Sequence, residues 1–319
     1  MGKTKNEAGD IRINRNVLIA IAVVAALILL GLIYVIPRFG GVFADYRTER
    51  QLYSAANKEV NEGQKTKQDL EKRIEELEGM KAESDAVRDE VFALAAKLEQ
   101  DITNGNSQKK ICYITIDDGP YNRGKQYLEL FNKYDIKATF FLTTANGNKL
   151  PDQGDLTATS MYPEYLKYGH TIGNHTYSHD YGEGGIYKSA KAFMSAVEKQ
   201  QKFTADAAAG YKPQIVRFPG GSGMAGSKLE EFQTALREAG YGWVDWTVDS
   251  GDSWGGDKAS VKNIRKNVLN AAKKQKIMVV LCHEWSQNSL DALPSIIDKL
   301  TEQGFIFLPL FYDSMMVNK

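Results

Sequence analysis

Ile111-Cys112-Tyr113-Ile114-Thr115-Ile116-Asp117-Asp118-Gly119-Pro120 is an apolar run that stops in two carboxylates and a turn pair. Six apolar or β-branched residues followed by Gly-Pro read as a buried strand that ends where its polar residues begin. The same design recurs along the chain. Thr171-Ile172-Gly173-Asn174 leads into His175 and His179, Trp243 to Val248 leads into Asp249 and Asp252, and Ile277 to Cys282 leads into His283. Strand-like runs are expected at 111–116, 138–144, 214–218, 243–248, 277–282 and 305–310, with a weaker one at 170–174. Helical patterns lie between them, at 124–134, 159–168, 187–208, 226–239, 260–274 and 289–302. Such alternation predicts an α/β fold with a parallel sheet and right-handed crossovers. Seven or so βα units within residues 109–319 suit a distorted or incomplete (β/α) barrel better than an open doubly wound sheet. No Gly-x-Gly-x-x-Gly follows the first strand, which argues against a dinucleotide fold. Chemistry-bearing residues at successive strand ends build one site on one face.

The site residues are of the metal-binding kind. Side chains of adjacent strand residues point to opposite faces, so Asp117 and Asp118 serve one site only if the chain leaves strand geometry there. Gly119-Pro120 supplies that turn. Two neighbouring carboxylates repel, and both stay ionised only beside cations, which a metal on one and Arg217 near the other would supply. His175 and His179 stand at i and i+4, a spacing that faces both imidazoles the same way on a helical turn. With one carboxylate they form a two-His, one-Asp set that leaves coordination positions open, the mark of a catalytic rather than a structural metal. Trp243, Trp246 and Trp285 read as core or rim packing, with Trp285 beside His283 the best placed to stack on a ligand ring.

Five segments in order carry a resemblance: Thr115-Ile116-Asp117-Asp118-Gly119, His175-Thr176-Tyr177-Ser178-His179, Arg217-Phe218-Pro219, Asp249 to Trp254, and Leu281-Cys282-His283. Together they resemble the motifs of the polysaccharide deacetylases, the NodB-type domain of carbohydrate esterase family 4, over about residues 109–312. The resemblance implies a distorted (β/α) barrel that removes acetyl groups from N-acetylated sugars with a divalent metal, usually zinc. It implies that Asp118, His175 and His179 hold the metal and that Asp117 is the base for the attacking water. The backbone amide of Gly220 would help bind the oxyanion, and His283 would protonate the leaving amine. Asp249 would hold His283 charged and oriented, as Arg217 would Asp117, while Trp254 and Leu281 would wall the acetyl pocket. Two positions depart from the family pattern. Gly220 stands where a tyrosine usually follows the proline, which removes an aromatic wall but keeps a backbone donor. Ser253 separates Asp252 from Trp254, which leaves Asp252 as a second candidate to orient His283. Asp249 is preferred because it follows its strand directly.

The rest of the chain suggests where this chemistry is deployed. Residues 17–36 are uncharged and mostly apolar, long enough as a helix to span about 30 Å of hydrocarbon. Lys3, Lys5, Arg12 and Arg15 in residues 1–16 outnumber Glu7 and Asp10 and favour a cytoplasmic N-terminus, with everything after residue 40 outside. A cleaved signal peptide would use Val42-Phe43-Ala44, but the run exceeds a signal core, and Pro37, Arg38 and Phe39 intervene. Residues 45–103 are rich in Glu, Lys, Gln and Ala and read as a helical stalk. Apolar patches at Leu70, Ile74 and Leu77, then at Val87, Val91, Leu94 and Leu98, would support a short coiled coil. That stalk could self-associate or meet a membrane partner. Residues 104–108 read as a linker.

The 319 residues carry 40 basic and 40 acidic side chains, so no overall charge points to nucleic acid. Cys112 and Cys282 read as two buried small side chains rather than a bridge. The expected activity is deacetylation of a cell-wall glycan, foremost peptidoglycan N-acetylglucosamine. N-acetylmuramic acid, poly-N-acetylglucosamine and chitin-like oligomers stand behind it. A non-catalytic wall-binding or assembly module on an anchored stalk is the alternative.

Overall fold

The computed structural model describes residues 64–147, 157–182 and 184–319. The apolar run 17–36 and the first part of the stalk lie outside them. Among the described residues, no helix is long and apolar enough to cross a membrane.

Helix α1 (Gln64–Thr103) leads into strands β1 (Lys110–Gly119), β2 (Thr139–Leu142), β3 (Thr171–Asn174), β4 (Ile215–Val216), β5 (Gly242–Trp243), β6 (Val248–Asp249), β7 (Ile277–His283) and β8 (Phe305–Phe307). Between them run α2 (Gly124–Tyr134), α3 (Ala158–Lys167), α4 (Ala190–Ala207), α5 (Leu229–Glu238), α6 (Val261–Ala271) and α7 (Gln287–Glu302). The strands are parallel in the order β5-β4-β3-β2-β1-β7-β6, with β8 on the lower half of β1. The expected strand at 243–248 is split. Its first part pairs with β4 and its last with β7, so the two edges of the curled sheet belong to one short segment of chain. The barrel is therefore distorted at this join, where residues 244–247 cross from one edge to the other. Only isolated bonds hold the crossing, such as Val244 N–H to Val216 C=O at 3.0 Å and Thr247 N–H to Val279 C=O at 3.0 Å.

Strand alternation places two of the three core clusters on opposite faces of the sheet. Cys112, Ile114 and Ile116 of β1 and Met278, Val280 and Cys282 of β7 face the helices, packing against Tyr127, Phe131, Leu293 and Ile297. Ile111, Tyr113 and Val279 face the other way, toward Phe141, Ile215, Leu310 and Phe311. Both cysteines are buried and free. They lie at different heights, since Cys112 is level with Met278 and Cys282 with Ile116.

The inner face is closed below by the end of α1. Ala95, Glu99 and Ile102 are buried there, and Phe92 stacks on Phe311 with ring centroids 5.0 Å apart. Glu99 accepts bonds from Tyr113 Oη at 2.7 Å, Ser314 Oγ at 2.6 Å and Met315 N–H at 2.9 Å. Residues 104–108, expected to be a linker, begin as a tight turn in which Asn106 and Ser107 N–H both bond the carbonyl of Asp101. That turn brings the helix back against the barrel it precedes.

Candidate metal centre and active site

The end of β1 solves the geometry of the paired carboxylates by a bulge. The register with β2 slips between Asp117 and Gly119, and Asp118 takes a left-handed φ of 67°. The extra residue re-aims Asp118 so that both carboxylates reach one site. Asp117 keeps its strand direction, level with His283 on β7.

His175 follows β3 directly and His179 comes four residues later, but not on the helical turn expected from the spacing. They sit in an irregular loop where Thr176 and His179 have φ of 64° and 48°. Asn174 Oδ1 accepts from Thr176 N–H at 2.9 Å and Thr176 Oγ1 from His179 N–H at 3.3 Å, so side chains stand in for helical bonds. The outcome is the same convergence. His175 Nε2 and His179 Nε2 lie 3.2 Å apart, at 3.4 and 3.1 Å from Asp118 Oδ1.

These three atoms form a set able to hold a metal ion. His175 Nδ1 lies 2.9 Å from the carbonyl oxygen of Arg217, and only a donating Nδ1–H suits that contact, so in the neutral ring the lone pair is on Nε2. Asp118 Oδ1 is buried with no hydrogen-bond partner. Two imidazoles that can turn Nε2 lone pairs toward a buried carboxylate oxygen make a donor set that fits a divalent ion. Burial alone would raise the Asp118 carboxyl, but His175 and His179 beside it and the charge of His283 hold it well below the ordinary carboxylate range.

Arg217 is fully buried and bonds Asp117 Oδ1 at 2.9 Å and Thr115 Oγ1 at 2.6 Å through Nη1. Its remaining donors reach the carbonyls of Val244 and Asp245, and its Cζ lies 4.1 Å from the centroid of the Phe141 ring. One oxygen of Asp117 is thereby tied down, and the other, Oδ2, lies 3.7 Å from His175 Nε2.

Asp252, not Asp249, orients His283. Its Oδ1 is 2.7 Å from His283 Nδ1, and its Oδ2 accepts from His283 N–H at 2.8 Å and Ser289 Oγ at 2.6 Å. Asp249 is still in β6, level with Leu281, and its carboxylate is taken by Gly251 N–H at 2.7 Å and Trp254 Nε1 at 3.2 Å. The turn at Gly251, with φ of 80°, swings the chain so that the later acid reaches His283. Burial would lower the His283 value, but the bond and charge of Asp252, helped by Asp118 and Asp117, push it up to about 9. The proton on Nδ1 faces Asp252, which leaves Nε2 for chemistry.

Gly220 has φ of 73°, a conformation that disfavours a side chain. Tyr187 Oη bonds the carbonyl of Pro219 at 2.8 Å, which aims the Gly220 N–H the opposite way across a planar peptide. A Cβ on Gly220 would meet Met224 at 2.9 Å and the Tyr181 ring at 3.7 Å. Tyr181 thus occupies the neighbourhood where the family's usual tyrosine is missing, and its ring lies edge-on to His179 at 5.4 Å. Leu281 is buried on the same face of β7 as His283. Trp254 is 53% exposed, lies against Gly251 and donates Nε1 to Asp249, the residue level with Leu281.

A cavity of about 500 Å³ opens at Asp118 and His179, and Trp285 forms part of its wall. Trp285 Nε1 donates to Asp118 Oδ2 at 2.9 Å, and its ring stacks on His283 at 5.1 Å, so it braces two site residues as well as offering an aromatic rim. Sequence reasoning did not reach Tyr181, Asn146 or Glu284. Asn146 Nδ2 bonds the Asp118 carbonyl at 2.5 Å from just beyond β2, and the strand-end rule could have found it. Glu284 is fully buried beneath the loop after β1, accepting from Tyr121 N–H at 2.5 Å and Tyr165 Oη at 2.7 Å. Burial pushes its carboxyl up to about 7 against those bonds. The fourth histidine, His170, is buried among Phe131 and Phe140 outside the site.

The polysaccharide deacetylase family model matches residues 104–244. A peptidoglycan-N-acetylglucosamine deacetylase of Bacillus cereus is 33% identical over 205 residues, which are 63% of this chain and 69% of that protein. Among solved structures, the catalytic domain of a peptidoglycan N-acetylglucosamine deacetylase from Eubacterium rectale is similar with a TM-score of 0.58 and 31% identity. That match covers 66% of this chain and 93% of the domain. A polysaccharide deacetylase of Bacillus cereus is similar with a TM-score of 0.55 and 27% identity, over 65% of this chain and 94% of that one. At this identity and coverage, on the same fold, the chain belongs to the polysaccharide deacetylases, the NodB-type domain of carbohydrate esterase family 4.

Proposed function

We propose that the protein is a membrane-anchored, zinc-dependent deacetylase of cell-wall peptidoglycan that acts on N-acetylglucosamine residues. The observation that carries this reading is the convergence of Asp118 Oδ1, His175 Nε2 and His179 Nε2, flanked by Asp117 and by His283. The names of its relatives support the substrate. The apolar run 17–36 behind a basic N-terminus supports an anchor that leaves the catalytic domain outside the cytoplasm.

Asp118, His175 and His179 would hold the metal, which would supply Lewis acidity toward the acetamide carbonyl and lower the pKa of water. The protein's own residues do the rest. Asp117, with one oxygen fixed by Arg217, takes a proton from the attacking water through Oδ2. The Gly220 N–H donates to the oxygen that gains negative charge. His283, kept charged by Asp252, gives the Nε2 proton to the departing amine as the C–N bond breaks. The water oxygen thus ends in acetate, its proton passes to Asp117, and the sugar leaves as a free amine. A binding-only module has no use for a buried Arg217–Asp117 pair and an imidazolium held charged beside it.

The test separates neighbouring carboxylates. Asp118→Asn should lose metal, because a neutral amide is a poor ligand in a site with a single carboxylate. Asp117→Asn and His283→Ala should keep metal and fold but lose about 10²–10⁴-fold in rate. Metal content and release of acetate from wall fragments are read together. Deacetylation that survives all three substitutions would sink the enzyme reading. Protease added to wall-stripped cells reads the anchor, and protection of the domain would count against an outside location.

A further inference from the structure

The cavity beside the metal centre holds a cation that the deacetylation chemistry does not use. Arg123, in the loop between β1 and α2, lines it together with Asn122, Asn146 and Trp285. Its Nη1 donates to the Trp285 carbonyl at 2.7 Å and to Asn122 Oδ1 at 2.8 Å, and its Nε to Gln287 Oε1 at 2.8 Å. All three partners are neutral. Among the described residues no carboxylate pairs with Arg123, and Nη2 has no hydrogen bond. Three bonds hold the guanidinium in place, and among the described residues it has no ion pair, inside a concavity that also contains Asp118 and His179. A fixed guanidinium with a free edge matches the geometry of a carboxylate. The volume of about 500 Å³ lies within the usual range for small-ligand sites.

We propose that this cavity is a subsite for an acidic substituent, in which Arg123 receives a carboxylate carried by the sugar next to the one deacetylated. The proposal rests on the reading of the protein as a wall-glycan deacetylase and adds to it a preference for anionic over neutral N-acetylated glycans. In peptidoglycan the carboxylate has two sources: the ether-linked lactyl group of the neighbouring sugar, or the stem peptide attached to it. Asn122 and Asn146 add neutral polar groups to the same wall without competing for charge.

The test compares four substrates of the metal-loaded full chain: glycan with free lactyl carboxylates, the same glycan with those carboxylates amidated, glycan bearing stem peptides, and a neutral N-acetylglucosamine oligomer. Because a hydrogen bond to a charged partner is worth roughly tenfold or more in binding, the carboxylated glycan should exceed the amidated one by about tenfold in kcat/KM. Arg123→Gln should remove that preference mainly through KM, losing about tenfold more on the carboxylated glycan than on the neutral oligomer. Arg123→Lys, which keeps the charge but not the fork, should retain part of it. The lactyl and stem-peptide arms identify which carboxylate is received. Equal losses on charged and neutral substrates would make Arg123 a support for Trp285 and overturn the proposal, as would the absence of any charge preference in wild type. Calorimetric binding of the carboxylated and amidated glycans reads the subsite apart from turnover. A charge preference in binding without deacetylation would sink the enzyme reading while leaving the subsite standing.

Discussion

Asp249 and Asp252 are three residues apart and carry the same side chain, yet only Asp252 touches His283. Asp252→Asn should therefore lower turnover by at least about 10²-fold, while Asp249→Asn should cost far less. With its value raised to about 9, His283 keeps its proton until pH rises through that point, and the rate should fall on the alkaline side. A cation at the centre opposes the charge of Asp118, so the limb of the loaded enzyme should lie below that of His283 in the metal-free protein. Asp252→Asn should move it lower still, and pH–rate profiles with proton titration of His283 check both. The folded value lies above the ordinary 6.5, so the stability this pair contributes is full below pH 6.5 and is lost as pH rises through about 9. Arg217 presents a different case. It has no exposed surface and stands against Asp117, so Arg217→Leu strands a buried carboxylate and should cost about 3–5 kcal/mol in denaturant unfolding.

At the scale of elements, two departures from regular geometry build the site. A straight β1 would send Asp118 to the helix side, and the bulge prevents it. A helical His175–His179 segment would need backbone bonds that the Asn174 and Thr176 side chains replace. Helix α1 shows how a polar stripe is used. Its apolar positions divide, with Leu98 packed on the barrel and Leu94 51% exposed, while Glu99 is buried next to Leu98. A coiled-coil partner would therefore compete with the barrel for part of that stripe. Glu99→Ala leaves two hydroxyls and one N–H without their acceptor and should lower stability by on the order of 3 kcal/mol. A chain beginning at residue 104 should melt below one beginning at 64, because it loses the cover that Ala95, Glu99 and Ile102 give the inner core.

For the whole molecule, a metal held by Asp118, His175 and His179 would couple the loops after β1 and β3, which bring these residues together. Neutral imidazoles are needed to hold it, so it should dissociate as pH falls through the histidine range. Chelator should abolish deacetylation and lower the melting temperature, and added zinc should restore both, because whatever binds only the folded state stabilises it. Stoichiometric metal analysis across pH 4–8 checks the first expectation and thermal melts check the second. The sheet order brings the ends of β3, β2, β1, β7 and β6 side by side, which explains how residues from Asp117 to His283 meet in one site.

The alternation of apolar runs and helical patterns was enough to determine a parallel α/β barrel. Helix α2 was legible to its ends because its amphipathic period is local. The grouping of Asp118, His175 and His179 and the Arg217–Asp117 pair were also legible, since strand ends in parallel order share one face. Tertiary structure alone decided which acid serves His283, because a turn at Gly251 chooses between two carboxylates that differ only in place. It also decided that a broken strand would join both sheet edges, that Tyr181 would stand near the glycine where a tyrosine is absent, and that the stalk would end as part of the core. Each depends on contacts between segments distant in sequence or on backbone turns, which the periodicity of a single segment does not encode.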